Sequence, residues 1–301
     1  VTPGAPHVAV VTGAARGIGR AIARRLAADG IAVAAVSRTL RPGSGELAGS
    51  LEETVALIRA DGGLAMAVPF DLGDIKADRR EILSQARAEF GAPADIVVNN
   101  AAAPRHFDLT FPLMTREAFL EAVEVNVWAA WDLAAAAVPD MRERGAGWIL
   151  TVSSSQAGPR KGPPFRPNPT NGATLYGGTK AFLDRITTGA AMELYDDNIA
   201  VNTIAPERQV ATDNALLVPG VRTDNSEPEE TIAEAALALC TGDPRVLTGR
   251  IAYNLSLLAE LGRPVRTLDG RALVPGWQPG DIGPGRLRTP YLNPADQQLG
   301  G

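Results

Sequence analysis

Cysteine is almost absent from this 301-residue chain. Cys240 stands alone, so no disulfide can close within the sequence and no cysteine cluster can hold a metal. Histidine is scarce too: His7 and His106 are too few and too scattered to suggest a metal site. No run is long and apolar enough to span a bilayer, and the first residues lack the layout of a signal peptide. A cytoplasmic protein with no membrane partner is therefore expected. Charge of one sign is also in short supply. The net charge of -5 gives no reason to expect nucleic acid or acidic lipid as a partner. What remains is an ordinary globular mixture, 45% hydrophobic and 21% charged, without internal repeats and long enough to bury a full core.

Glycine is present where it matters. His7-Val8-Ala9-Val10-Val11 is a short apolar run that reads as a buried strand. It runs into Thr12-Gly13-Ala14-Ala15-Arg16-Gly17-Ile18-Gly19, and a helix pattern follows with Ile18, Ile22 and Leu26 on one face. Strand, glycine turn and helix together aim backbone N–H groups and a helix N-terminus at a phosphate. The spacing is G-x-x-x-G-x-G, which differs from the general dinucleotide pattern G-x-G-x-x-G.

A further absence lies at the end of the second strand, Ile31 to Val36. A carboxylate there usually holds the ribose 2′-hydroxyl of NAD. Here the residues are Ser37-Arg38-Thr39. Arg38 puts a cation where a 2′-phosphate would sit, and Arg16 is within reach of the same group. Guanidinium pairs well with phosphate, so the cofactor expected is NADP in preference to NAD.

The alternation continues. Strands are expected at Leu64 to Phe70, Asp95 to Asn100, Trp148 to Val152, Ile199 to Ile204 and Ile251 to Tyr253. Helices are expected at Leu51 to Ala60, Asp74 to Phe90, Arg116 to Arg144, around Tyr176, and at Pro228 to Cys240. This predicts an α/β fold: a Rossmann-type doubly wound parallel sheet of about seven strands, helices on both faces, in three αβα layers. One domain is expected over 1–301, with a core of about 7–265 and a Gly/Pro-rich tail of about 269–301. That tail would lie on a neighbouring subunit or be disordered. Ligands bind such sheets beyond the carboxyl ends of the strands, and Gly13, Asp71, Asn100 and Ser154 all fall at such ends.

Tyr176-Gly177-Gly178-Thr179-Lys180 puts a phenol and an ammonium one helical turn apart on one face. An ammonium beside a phenol favours the phenolate, so the pair can serve as an acid or a base nearer neutrality than the usual pKa of ~10.

With these pieces assembled, the chain resembles the short-chain dehydrogenase/reductase family over about residues 7 to 265. The motif residues are Thr12-Gly13-x-x-x-Gly17-Ile18-Gly19, Asn99-Asn100-Ala101-Ala102, Asn126, Ser154, Tyr176 and Lys180. The resemblance implies a catalytic tetrad of Asn126, Ser154, Tyr176 and Lys180. It also implies cofactor contacts from Gly13, Arg16, Gly17, Ile18, Gly19, Ser37, Arg38, Thr39, Asp71, Leu72, Asn100, Ala101 and Ala102, from Tyr176 and Lys180, and from Pro206, Val210 and Thr212. Three serines stand in a row. Counting along the strand selects Ser154, whereas counting back from Gly158 selects Ser155; Ser153 reads as structural.

The activity implied is hydride transfer between NADP(H) and a small carbonyl or alcohol substrate, in a homodimer or homotetramer joined through the helices of Asn126 and Tyr176. Apolar loop residues Phe107, Leu109, Phe111, Phe165 and Leu217 point to an apolar substrate. Three features depart from the family. Pro206-Glu207 replaces Pro-Gly, the loop between Ser154 and Tyr176 is long and proline-rich, and Tyr253-Asn254-Leu255-Ser256-Leu257-Leu258 replaces an Asp-Gly-Gly ending. The rival reading, a catalytically idle NADP-binding sensor or assembly subunit, rests on the first of these.

Overall fold

In the computed structural model the described residues are 7–45, 47–103, 109–159, 162–163, 173–212 and 226–283. The strands are β1 (Val8–Thr12), β2 (Ala32–Ser37), β3 (Ala65–Pro69), β4 (Ile96–Asn99), β5 (Gly147–Val152), β6 (Ile199–Ala205), the short pair β7 (Gln209–Val210) and β8 (Ser226–Glu227), and β9 (Ile251–Tyr253). The helices are α1 (Gly17–Ala28), α2 (Leu51–Ala60), α3 (Arg80–Phe90), α4 (Arg116–Val123), α5 (Ala129–Arg144), α6 (Ala173–Glu193), α7 (Glu229–Thr241) and α8 (Asn254–Leu261).

Seven strands form one sheet in the order β3-β2-β1-β4-β5-β6-β9, every pair parallel. Parallel strands covered on both faces carry apolar side chains at successive positions, and these do. In β1, Ala9 and Val11 enter one core while Val8 and Val10 enter the other. The three-layer α/β architecture expected from the alternation is therefore the one observed. The strand order reverses between β1 and β4, which opens the crevice where such sheets take ligands.

Two expectations need correction. The helix foreseen from Asp74 begins at Arg80. Aspartates intervene: Asp71, Asp74 and Asp78 each accept a hydrogen bond from the backbone N–H two residues on, which favours turns over helix. The chain past Asp269 was expected to pack on nothing of its own, yet up to residue 283 it folds back. Ile282 is buried, Val274 and Trp277 lie against the core, and Gln278 Nε2 donates to Val265 O at 2.9 Å and Val274 O at 2.8 Å. The amide reinforces a short antiparallel bridge between Arg266 and Leu273, in which Val274 N donates to Val265 O and Thr267 N donates to Ala272 O, both at 2.9 Å. The rest of the tail, 284–301, lies outside the described residues.

The long helix foreseen over 116–144 is one rod in three parts, because a π-helical segment, Glu124–Trp128, separates α4 from α5. Single π turns insert an extra residue and occur often at functional sites.

Candidate active site

At the floor of the crevice between β1 and β4, residues singled out in the sequence hydrogen-bond to one another. Thr12 Oγ1 accepts from the backbone N–H of Asn100 at 3.0 Å and of Ala101 at 3.1 Å, and donates to Val98 O. Asn100 Nδ2 donates to Thr12 O at 2.9 Å and Gly13 O at 3.3 Å. Asn100 therefore fixes the glycine loop from behind. Gly13 and Gly17 have φ of +67° and +53°, left-handed values that suit glycine. At Gly19 a Cβ would collide with Asn100 Nδ2 and Gly13 O. Thr212 lies beside Gly17, at ordinary van der Waals distance from where a Cβ would stand. Val210 and Thr212 are both buried, and Thr212 brings the loop after β6 beside the glycine loop.

At the end of β2, Arg16 Nη2 donates to Thr39 Oγ1 and Gly49 O, both at 3.0 Å. Burial, and then the nearby Arg38 and Arg20, lower the pKa of the Arg16 guanidinium. Two cations held side by side with Arg38 exposed form a place suited to a dianion. Ser37 is half-buried there. Asp71 is exposed, with Oδ1 turned back onto Gly73 N, and Leu72 beside it is buried.

Lys180 is 2% exposed and lies deep beside the end of β5. Its Nζ donates to Val152 O at 2.7 Å and stands 5.7 Å from the centre of the Tyr176 ring. Two residues past Val152, Ser154 starts a short turn and accepts from Gln156 N at 3.2 Å. Gly177 lets that turn approach: a Cβ there would be 2.6 Å from Gln156 O. Tyr176, Lys180 and the serines are thus gathered at one strand end by a glycine that the motif reading passed over. Ser153 is buried, Ser154 and Ser155 are half-buried.

Asn126 lies inside the protein. It is 3% exposed in the π segment, its Oδ1 accepts from Ala103 N at 2.7 Å, and its Nδ2 donates to Thr179 Oγ1 at 3.1 Å. It ties the loop after β4 to the residue next to Lys180. Ala102 is exposed on that loop.

The motifs did not disclose two buried carboxylates. Asp184, one turn beyond Lys180, is pushed up to about 6 by burial, while the Ser153 and Thr203 hydroxyls and the Lys180 charge pull the other way. Ser153 Oγ, Thr203 Oγ1 and Asp184 Oδ1 are all buried without a well-formed bond among the described residues. The i+4 spacing from Lys180 was the available signal. Glu227, fully buried, is pushed up to about 7 by burial, with Glu207 adding to the effect; Asn254, the Arg208 backbone N–H and Thr231 oppose it.

Glu207 and Asn254 explain two of the departures together. Glu207 is the residue standing where the family has glycine. Its backbone N–H donates to Asn254 Oδ1 at 2.8 Å, and its carboxylate accepts from Ser256. Asn254 Nδ2 in turn donates to Glu227 at 3.0 Å. The altered ending after β9 therefore supplies the partners that the altered loop after β6 requires. Pro206 is half-buried at the head of that loop. Of the apolar loop residues, Leu109 is half-buried and Phe111 is exposed. Phe107, Phe165 and Leu217, with most of the proline-rich loop, lie outside the described residues.

No helix among the described residues is long and apolar enough to cross a membrane. No group of three or more metal-ligating side chains occurs among them.

The comparison with known proteins agrees with this geometry. The sequence profile of the short chain dehydrogenases matches residues 7–216. Dehydrogenase/reductase SDR family member 4 of Homo sapiens is 31% identical over 254 residues, 84% of this chain and 82% of that protein. A crystal structure of a metagenomic short-chain oxidoreductase in complex with NADP superposes with a TM-score of 0.64 at 27% identity, covering 82% of this chain and 96% of that one. A short-chain type dehydrogenase/reductase from Mycobacterium marinum gives a TM-score of 0.66 at 26% identity, covering 82% and 92%. The chain belongs to the short-chain dehydrogenase/reductase family of oxidoreductases.

Proposed function

We propose that the protein is an NADP(H)-dependent oxidoreductase that interconverts a ketone or aldehyde and its alcohol. The observation that carries this reading is the placement of Lys180: buried, anchored on Val152 O at the end of β5, with its ammonium 5.7 Å from the Tyr176 ring centre.

The residues present fit a dinucleotide. Gly13 and Gly17 hold the left-handed backbone of the turn, and the N-terminus of α1 follows it directly. Gly19 and Ile18 carry the turn into the helix, and Ser37, Arg38, Thr39 and Arg16 gather where a 2′-phosphate would be held. Asp71 and Leu72 would flank the adenine side, Asn100, Ala101 and Ala102 the ribose side, and Pro206, Val210 and Thr212 the nicotinamide side. The NADP bound by the metagenomic relative supports the same choice. When bound, NADPH supplies the hydride.

Tyr176 donates the proton to the carbonyl oxygen in reduction and takes it from the hydroxyl in oxidation. Lys180 favours the phenolate by its charge, which brings Tyr176 closer to working range at neutral pH. Ser154 holds the substrate oxygen and orients it, with Ser155 as the alternative donor on the same turn. Asn126 serves the proton path to Lys180 from the π segment. The substrate is a small, predominantly apolar carbonyl or alcohol compound.

Association into a homodimer or homotetramer through α4, α5 and α6 is part of the proposal. Phe119, Leu120, Trp128, Trp131, Phe182 and Met192 on this stretch are each more than two-fifths exposed, more large apolar surface than one chain covers.

Incubating the protein with NADPH or NADH and a panel of aldehydes and ketones, while following loss of reduced cofactor, tests the reading. NADPH consumption with at least one compound is expected. Binding of NADPH with no turnover across a broad panel in either direction would favour the idle sensor, and a preference for NADH would refute the assignment of Arg16 and Arg38.

A further inference from the structure

Arg79 was not among the expected site residues, yet it is 3% exposed and occupies a junction. It stands just before α3, at the close of the loop that follows β3. Its Nη2 donates to Leu72 O at 2.8 Å and to Glu124 Oε1 at 2.6 Å, and its Nη1 donates to Asp132 Oδ2 at 3.2 Å. A buried guanidinium is costly unless paired and bonded. Here the partners come from two places. Leu72 lies in the loop assigned above to the adenine end of the cofactor. Glu124 and Asp132 flank the π segment, Glu124 as its first residue and Asp132 in the first turn of α5.

The consequences follow from geometry. A π turn is a widened turn, and it persists where its surroundings hold it. A planar fork with fixed donor directions that grips a carboxylate on each side of the widened turn is suited to that task, and a single flexible ammonium is not. Within the turn, Asn126 faces inward to Ala103 N and Thr179 Oγ1. Next to it, Val125 packs on the same loop that Arg79 grips, with Val125 Cγ2 3.3 Å from where a Cβ on Gly73 would lie. Hydrogen bonds thus run from Leu72 through Arg79 to Glu124 and Asp132 and from Asn126 to Thr179 beside Lys180, and the backbone of the π segment joins Glu124 to Asn126.

We infer that Arg79 is a positioning residue: it clamps the π segment against the loop after β3, so that filling the adenine end steadies Asn126. The inference rests on the NADP reading above and adds a physical link between its two ends.

The test uses 2′,5′-ADP, which carries the adenosine end and no nicotinamide, with calorimetry for binding and hydrogen exchange for local stability. Three proteins are compared: wild type, Arg79→Lys, and Glu124→Ala. The last leaves Arg79 on Leu72 and keeps good helix propensity should the first fold poorly. In the wild type, 2′,5′-ADP should slow exchange of amides in residues 124–128 by about fivefold or more, the scale of ordinary coupling between sites. In both variants the compound should still bind, and this slowing should vanish. Equal slowing in all three proteins, or none in a saturated wild type, overturns the inference. Failure of 2′,5′-ADP to bind the wild type overturns the cofactor reading and the inference with it, and appears in the calorimetry before any exchange is measured.

Discussion

Replacing Thr12 by valine keeps the shape of the side chain and removes one oxygen. That oxygen accepts from Asn100 N at 3.0 Å and Ala101 N at 3.1 Å, and donates to Val98 O. Thr12 itself is 2% exposed, so water cannot easily take its place. Two backbone N–H groups lose their acceptor, and each such loss costs about 1–3 kcal/mol. Asn100 and Ala101 are only half-buried, which argues for the lower end: about 2–4 kcal/mol in total. For a chain of this length that is a fall in Tm of roughly 3–6 °C. Thr12→Ser keeps the oxygen and loses a methyl group, worth about 1 kcal/mol and roughly 2 °C. Scanning calorimetry on the three proteins reads both numbers. NADPH affinity should follow the same order, because the oxygen holds the glycine loop onto β4. Equal losses in the valine and serine variants, or a valine variant within about 1 °C of wild type, would refute the reasoning.

Other expectations follow from the same geometry. Arg38→Asp removes a guanidinium from the proposed 2′-phosphate site and should weaken NADPH binding by about ten- to a hundredfold while leaving NADH nearly unchanged, read by fluorescence titration. Glu227, raised from 4.5 to about 7, binds a proton in the folded state that the unfolded state has released. Its contribution to stability therefore falls as pH rises across that window, by on the order of 3 kcal/mol. The Tm of Glu227→Gln relative to wild type should climb between those pH values and level off above them; a flat difference would refute the assignment. His7 is raised above its usual 6.5, chiefly by its bond to Asp95 at 2.6 Å. The stabilisation is complete below the unfolded value and lost as pH rises through the folded one. His7→Ala should lower Tm more at acidic than at alkaline pH, by a small amount because the side chain is 55% exposed.

Much of this architecture could be read from the chain, for a physical reason. Buried parallel strands are nearly uniform in apolar content, so Val8–Thr12, Ala32–Ser37 and Ile96–Asn99 stand out without knowledge of their partners. Glycine loops and a Tyr–Lys pair at helical spacing are local features too. What escaped depends on contacts between distant residues. Nothing around Arg79 signals that Glu124 and Asp132, some fifty positions on, will surround it. The family motif singles out Asn126, but the π turn that aims it at Ala103 and Thr179 has no local sign in the sequence. The pairing of Glu207 with Asn254 and Ser256 is invisible until β6 and β9 lie side by side. The chain past Asp269 has the composition of a loose tail, and only the three-dimensional neighbourhood of Gln278 shows why its first part is packed.

The central claim is that the Tyr176 hydroxyl moves the proton. Tyr176→Phe removes that one atom and leaves Lys180 and Val152 in place. With a carbonyl compound that the wild type reduces, the account predicts that the phenylalanine variant binds NADPH as before and consumes essentially none. Turnover near the wild-type rate would contradict it.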